Sequence, residues 1–328
     1  MRLGLLILTL ALLNQVGAFG QQLSQYTQEK PKNPDKRQEP IPVYIEDTFR
    51  SVILLEYTNA LDSLKKISPD KELAYYQAWC HFIHGQIFSA YESVSLYLNL
   101  PSSNKYFGQI LLGRIQHARH NKHQSIESLN NAILLEPTKP FAYLEKSRIY
   151  ALTKNVDEGL SFTSKCIKQF PDEFNLYIYR AMLYSDSNNP KKAIGDFNSY
   201  LNSISKKDTA DLLLVYFGLG KSYLLANDLN SALAQTNLGL DIFPDYSPGY
   251  GLRGEINFRL KDYDSSLKDF RKMEEKMQAS YYWKMIASIY EIKGDIEMAC
   301  SYYSEQCRLF QDGEACSKAR KLKCKTIK

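Results

Sequence analysis

Landmark residues of this chain recur at one interval. Pro137 and Pro171 are 34 positions apart, as are Tyr143 and Tyr177, Tyr150 and Tyr184, Tyr216 and Tyr250, and Gly220 and Gly254. The interval widens to 39 between Tyr177 and Tyr216 and narrows to 33 between Tyr250 and Trp283. The five extra residues fall at 202–209, a Ser/Lys/Asp stretch that reads as a lengthened loop. A unit of this size cannot bury its own apolar surface, so copies of it must stack on one another.

Residues 213–244 show what one unit is. Tyr216, Leu219, Gly220 and Tyr223 share one helix, and a partner backbone must approach it at Gly220. A second helix over 229–242 turns Ala232, Thr236 and Gly239 back toward the first, and Pro244 ends the unit. Asn227-Asp228 is turn chemistry, with Asp228 or Asn230 as the cap of the second helix. No convincing period-2 strand pattern occurs anywhere, so the fold is expected to be all-α.

The same landmarks repeat along the chain. Residues 106–137 carry Leu112, Gly113, Ser125, Leu129, Ala132 and Pro137; residues 140–171 carry Tyr143, Ser147, Tyr150, Gly159, Cys166 and Pro171. Residues 174–205 carry Tyr177, Ala181, Tyr184, Ala193, Phe197 and Tyr200; residues 247–277 carry Tyr250, Gly254, Phe270 and Met273. Residues 280–311 carry Trp283, Ala287, Tyr290, Gly294, Ala299 and Tyr303. Ala78, Gly85, Ala90 and Tyr97 mark a weaker unit at 70–101, and Tyr57 and Ala60 a degenerate one at 41–69. In these residues the chain resembles a tetratricopeptide repeat (TPR) protein with about seven repeats. The resemblance implies a right-handed superhelical solenoid of antiparallel helix pairs over residues 41–311, closed by a capping helix at 312–328. It also implies a groove lined by the first helices, and motif residues devoted to packing. The sequence departs from the pattern at Lys146, Arg180 and Arg253, where an apolar residue is usual, and at Asn257, where Tyr is usual. Units with these residues are expected to pack less tightly, or else the cations to snorkel on their aliphatic stems.

Residues 1–20 read as a signal peptide. Arg2 precedes an apolar run at 3–13, and small residues allow cleavage after Ala18 or Gly20. The run is too short to span a bilayer, and no Cys follows it to take a lipid anchor. Residues 21–40, rich in Pro, Gln and charge, read as a disordered linker. The mature chain is therefore expected to be exported, periplasmic or extracellular, and soluble. Its net charge, +5 in full and about +4 without Arg2, gives no reason to expect nucleic acid.

Six cysteines then meet an oxidising compartment. Cys300 and Cys307 share a face of a helix over 296–310, and Cys316 and Cys324 nearly share one on a cap helix over 314–323. Reduced thiols in a cap core and a four-thiolate zinc site are alternatives, though the spacing lacks the close Cys pairs usual for zinc. In an antiparallel hairpin, facing positions keep a constant index sum, which favours nested disulfides Cys300–Cys324 and Cys307–Cys316. Cys80 and Cys166 are expected to be buried and inert. All five histidines lie in two neighbouring units. His81, His84, His117, His120 and His123 could converge on a metal ion, with solvated turn residues as the plainer reading.

The register also selects groove-facing positions. Tyr75, Trp79, Phe107, Tyr179 and Phe217, with Ile110, Phe141, Leu144 and Leu252, interleave with Arg114, Arg148 and Lys221. An apolar groove with a few fixed cations suits an extended peptide or helix of a protein partner that carries a carboxylate. The Lys and Asn set with which chaperone-binding relatives clamp two carboxylates is missing. No Gly-rich phosphate loop, paired metal motif or Ser/His/Asp pattern points to an enzyme or a cofactor. The expected function is a non-catalytic exported scaffold for protein–protein interaction, with envelope assembly as its setting. The alternative is a glycan- or cell-wall-binding module in which exposed rings serve as sugar platforms.

Overall fold

The computed structural model describes residues 73–101, 103–203, 211–276 and 280–324. The expected signal peptide, the linker, the degenerate first unit and most of the lengthened loop lie outside the described residues. Within them the chain forms fifteen α-helices and no strand. It divides into two compact units, residues 1–187 with 199–211, and residues 188–198 with 212–328.

The first unit contains α1 (Leu73–Ile83) and α2 (Ile87–Asn99), α3 (Lys105–Ala118) and α4 (Lys122–Leu135), α5 (Phe141–Leu152) and α6 (Val156–Gln169), then α7 (Asn175–Asp186). α8 (Pro190–Ser203) is divided between the two units. The second unit continues with α9 (Leu212–Leu225) and α10 (Leu229–Ile242), α11 (Ser247–Arg259) and α12 (Tyr263–Lys276), α13 (Ser280–Ile292) and α14 (Ile296–Phe310), and ends with α15 (Gly313–Lys321).

The turn inside each pair is built the same way seven times. Gly85, His120, Lys154, Asn188, Asn227, Lys261 and Gly294 all adopt a positive φ, between 51° and 81°. These residues are 35, 34, 34, 39, 34 and 33 positions apart, so the backbone repeats the interval read from the tyrosines. The left-handed residue ends the first helix, and the next N–H returns to a carbonyl five residues back. Such bonds run from Gln86 to His81, Asn121 to Gln116, Asn155 to Tyr150, Asp228 to Tyr223, Asp262 to Asn257 and Asp295 to Tyr290, at 2.8–3.0 Å. The same Asp then opens the second helix. Asp228, Asp262 and Asp295 accept from the backbone N–H of Ser231, Ser265 and Met298, each at 3.1 Å. Asp228, rather than Asn230, is therefore the cap of α10.

Small residues stand seven positions before each left-handed residue and five after it. The first set is Ala78, Gly113, Ser147, Ala181, Gly220, Gly254 and Ala287; the second is Ala90, Ser125, Gly159, Ala193, Ala232, Ser266 and Ala299. All fourteen are buried. They let two backbones touch: Ser125 Oγ donates to the Gly113 carbonyl and Ser266 Oγ to the Gly254 carbonyl, both at 2.7 Å. A Cβ at Gly254 would lie 2.7 Å from Phe270 Cε1, closer than packing permits. The larger landmarks fill the space between helices, with Leu129, Phe197, Phe270 and Tyr303 at most 1% exposed.

Of the three departing cations, Lys146 is buried, and Arg180 and Arg253 are part-exposed. Lys146, 9% exposed, donates to Asn130 Oδ1 at 2.7 Å and lies 4.2 Å from the Phe162 ring. Arg253 donates to Asn237 Oδ1 at 3.0 Å and makes a bidentate pair with Asp269 at 2.7 and 2.8 Å. Arg180 lies over Tyr177 and Tyr184, 5.4 and 5.8 Å from their centroids. Asn130 and Asn237 occupy one equivalent position, on the second helix of the preceding pair. A buried cation at this point is held by the neighbouring repeat, because leaving it unpaired inside would cost several kcal/mol.

At the C-terminus, Gln311 turns left-handed (φ 51°), and Asp312 caps α15 by accepting from Glu314 and Ala315 N–H at 2.9 and 3.0 Å. The hairpin pairs Cys300 with Cys324 and Cys307 with Cys316, with Cα separations of 5.2 and 4.8 Å. Cys80 and Cys166 are buried, and burial raises their thiol pKa values to about 12 and about 11.

Candidate functional site

In the first unit, three first helices carry Trp79, Arg114 and Arg148, each directly after its small residue Ala78, Gly113 or Ser147. Equivalent positions of stacked repeats fall in a row, so the three side chains gather on one face. The row is a closed network rather than a line of open cations. Arg114 Nε donates to Glu145 Oε2 at 2.8 Å and its Nη2 to Glu145 Oε1. Arg148 donates to Glu145 Oε2 from Nε at 3.0 Å and from Nη2 at 2.7 Å. Arg114, Glu145 and Arg148 are 6, 3 and 7% exposed.

Rings enclose this network. The Arg114 guanidinium lies 5.1 Å from the Trp79 ring centroid and 5.4 Å from that of Phe141. Burial alone would raise the Glu145 pKa, but the two guanidinium charges and their hydrogen bonds outweigh it and hold it at about 2. Burial, then the charges of Asp211 and Glu145, raise the Tyr179 hydroxyl. Burial, then the charge of Arg148 and the nearby His120, lower His117 to about 4. Two guanidiniums thus share their surroundings with the carboxylates Glu145 and Asp211, a neutral imidazole and a phenol.

The sequence-selected groove residues separate by environment. Tyr75 and Phe107 are part-exposed, as are Phe141 and Leu144. Tyr75 packs edge-on to Trp79 with centroids 6.5 Å apart, and Phe107 lies 6.5 Å from Phe141. Trp79, Arg114, Arg148 and Tyr179 are buried beneath them. In the second unit, Lys221 is exposed, whereas Phe217 is 8% exposed and packs 4.6 Å from the Tyr246 ring. A Cβ at Gly239 or Gly249 would meet the Phe217 ring at 2.9 or 2.5 Å, so those glycines make its slot and Phe217 is a packing residue.

One expectation changes. Arg114 and Arg148 are not available as open cations, because Glu145 satisfies both. Glu145, His117 and Asp211 were not recognised as part of this face; the i,i+3 spacing of Glu145 and Arg148 on α5 was the only local sign of the pair. The histidines do not converge. Among the described residues no group of three His, Cys, Asp or Glu side chains could hold a metal ion. His81 Nδ1 contacts Gln86 Oε1 at 3.1 Å, His117 faces Arg148, and His120 and His123 are exposed at and after the turn.

The comparisons agree with this architecture. A family model described as a tetratricopeptide repeat matches residues 280–312, the α13–α14 pair. No curated protein matches the chain. Among solved structures, the chain is similar to a tetratricopeptide repeat protein from Parabacteroides merdae ATCC 43184 (16% identity, TM-score 0.55, 77% of this chain and 98% of that one). It is also similar to PilW, described as a widely conserved type IV pilus biogenesis factor (15% identity, TM-score 0.59, 66% and 99%). A third likeness is to pilF of Pseudomonas aeruginosa (13% identity, TM-score 0.56, 66% and 96%). With the recurring turn, the buried small-residue pairs and the matched repeat all in one register, the chain has a tetratricopeptide-repeat fold, and its α13–α14 pair matches the repeat's family model.

Proposed function

We propose that the protein is a non-catalytic scaffold that binds an extended peptide or helix of a protein partner across the first-helix face of its first unit. The observation that carries this reading is the layering there. Tyr75, Phe107, Phe141 and Leu144 are part-exposed over the buried network of Trp79, Arg114, Glu145 and Arg148. Part-exposed rings on a floor whose rotamers are fixed by hydrogen bonds lose little entropy on binding, the property that makes aromatic anchors dominate interfaces. Because the guanidiniums are already satisfied, apolar contact supplies the affinity rather than capture of a carboxylate.

An exported setting, periplasmic or extracellular, fits the leader-like residues 1–20 and the paired cysteines of the C-terminal hairpin. Envelope assembly is the role in which such a scaffold meets protein partners, and the fold likeness to a pilus biogenesis factor is compatible with it.

Cross-linking and pull-down from the native compartment test the reading. Tyr75→Ser with Phe107→Ser should reduce capture of the cross-linked partner by about tenfold or more, the scale of one hot-spot anchor. Lys221→Glu, on the second unit, should leave capture unchanged. Undiminished capture by the double variant, with its melting temperature retained, would remove the proposal.

A further inference from the structure

The full chain has a formal charge of +5, and its last sixteen residues alone account for all of it. Lys318, Arg320, Lys321, Lys323, Lys325 and Lys328 stand against a single acid, Glu314. Everything before residue 313 sums to neutrality. Lys318 pairs with Glu291 at 2.9 Å, while Arg320, Lys321 and Lys323 are exposed on the last turn of α15 and just beyond it.

A basic last turn complements the helix dipole, but that effect is confined to one turn and is met by one or two cations. A terminal cap also needs a polar outer face, which mixed charges would provide equally well. Neither need explains five cations in nine residues, at 320–328, with no acid among them. Five of the six cations are lysines, which act as hydrated point charges and lack the planar fork that reads one carboxylate or phosphate bidentately. That composition suits a continuous anionic surface better than a defined acidic peptide. The same hairpin also exposes Leu309 (47%) and Phe310 (43%) in the last turn of α14. The paired cysteines tie α15 to α14, so Lys318, Arg320 and Lys321 are presented from a helix fastened to its neighbour.

We infer that the C-terminal hairpin docks the protein on an anionic lipid surface, its lysines against the headgroups. The binding is peripheral: no described helix is long and apolar enough to cross a membrane. Polybasic segments gain affinity with each cation near such a surface and lose it as salt screens the charge.

Co-sedimentation with vesicles of phosphatidylcholine alone, or of an equal mixture with phosphatidylglycerol, tests this. The full chain is compared with the triple variant Arg320→Glu, Lys321→Glu, Lys323→Glu, and the readout is the ratio of anionic to neutral partitioning. The apolar run at 3–13 is common to both proteins, so the ratio isolates the cap. At low salt the parent should favour mixed vesicles by about a hundredfold. High salt and the triple variant should each bring the ratio near one, with helical content unchanged. A milder variant, Arg320→Gln with Lys323→Gln, should fall between. Equal partitioning of the parent onto both vesicles, an undiminished ratio in the folded variants, or stronger capture by soluble polyglutamate than by mixed vesicles would overturn the inference.

Discussion

Glu145 is the residue on which the candidate face depends. It is the shared hydrogen-bonded carboxylate of two guanidiniums that are both almost fully buried. Glu145→Gln keeps its shape and removes its charge, taking away the carboxylate that is hydrogen-bonded to both Arg114 and Arg148. Removing one member of a buried ion pair costs about 3–5 kcal/mol, so chemical denaturation should show a loss of that size. A loss below about 1 kcal/mol, the range of exposed pairs, would mean that the network is solvated. The same cluster sets a pH dependence. His117 titrates near 4 when folded, below its ordinary 6.5, so the unfolded chain takes up the proton first as pH falls. Stability contributed by neutral His117 is whole above about pH 6.5 and is lost toward pH 4. Glu145 adds a further loss below its ordinary 4.5, toward about 2. His117→Gln should therefore flatten the melting temperature between pH 6.5 and 4 and leave the steeper loss below that. Arg114 and Arg148 were visible in the sequence as equivalent residues. Their partner was not, because an acidic residue directly before Lys146 on a first helix reads equally well as solvent-facing.

At the scale of the helix pair, most of the structure could be read in advance. Helices expected over 229–242 and 296–310 are α10 and α14, and the Asn227-Asp228 turn has its expected chemistry. The reason is physical: a left-handed residue, an Asp cap and two small residues at fixed offsets leave the chain little choice. The cap helix, expected over 314–323, forms as Gly313–Lys321, because Asp312 caps one residue earlier and Lys323 turns left-handed. The surroundings of Lys146 and Arg253 were not legible, because Asn130 and Asn237 lie sixteen positions back on the preceding repeat and Asp269 sixteen positions on, across the turn. The small-residue rule is directly testable. Gly254→Val drives a side chain into Phe270 and should destabilise by about 1–3 kcal/mol or more. Gly195→Ala, with nothing within 4 Å of the new carbon, should be neutral or stabilising by about 0.5–1 kcal/mol.

Over the whole molecule, the sequence interval carries the fold and says little about the use made of it. Seven copies of one turn specify an array, and the landmark residues are occupied with packing it. What differs between copies is therefore where function is proposed: a buried charged network under part-exposed rings in the first unit, and a basic, doubly paired hairpin at the end of the second. The proposed division of labour has the first capture a protein and the second hold a surface. Site-specific photo-cross-linking in the native compartment tests the location of the protein-binding face most directly. One photoreactive side chain is placed at Phe107, on the first-helix face, and another at Leu134, 79% exposed on the second helix of the same pair. Protein adducts from position 107 and none from position 134 are the predicted result. Adducts from 134 alone, or equally from both, would contradict the account.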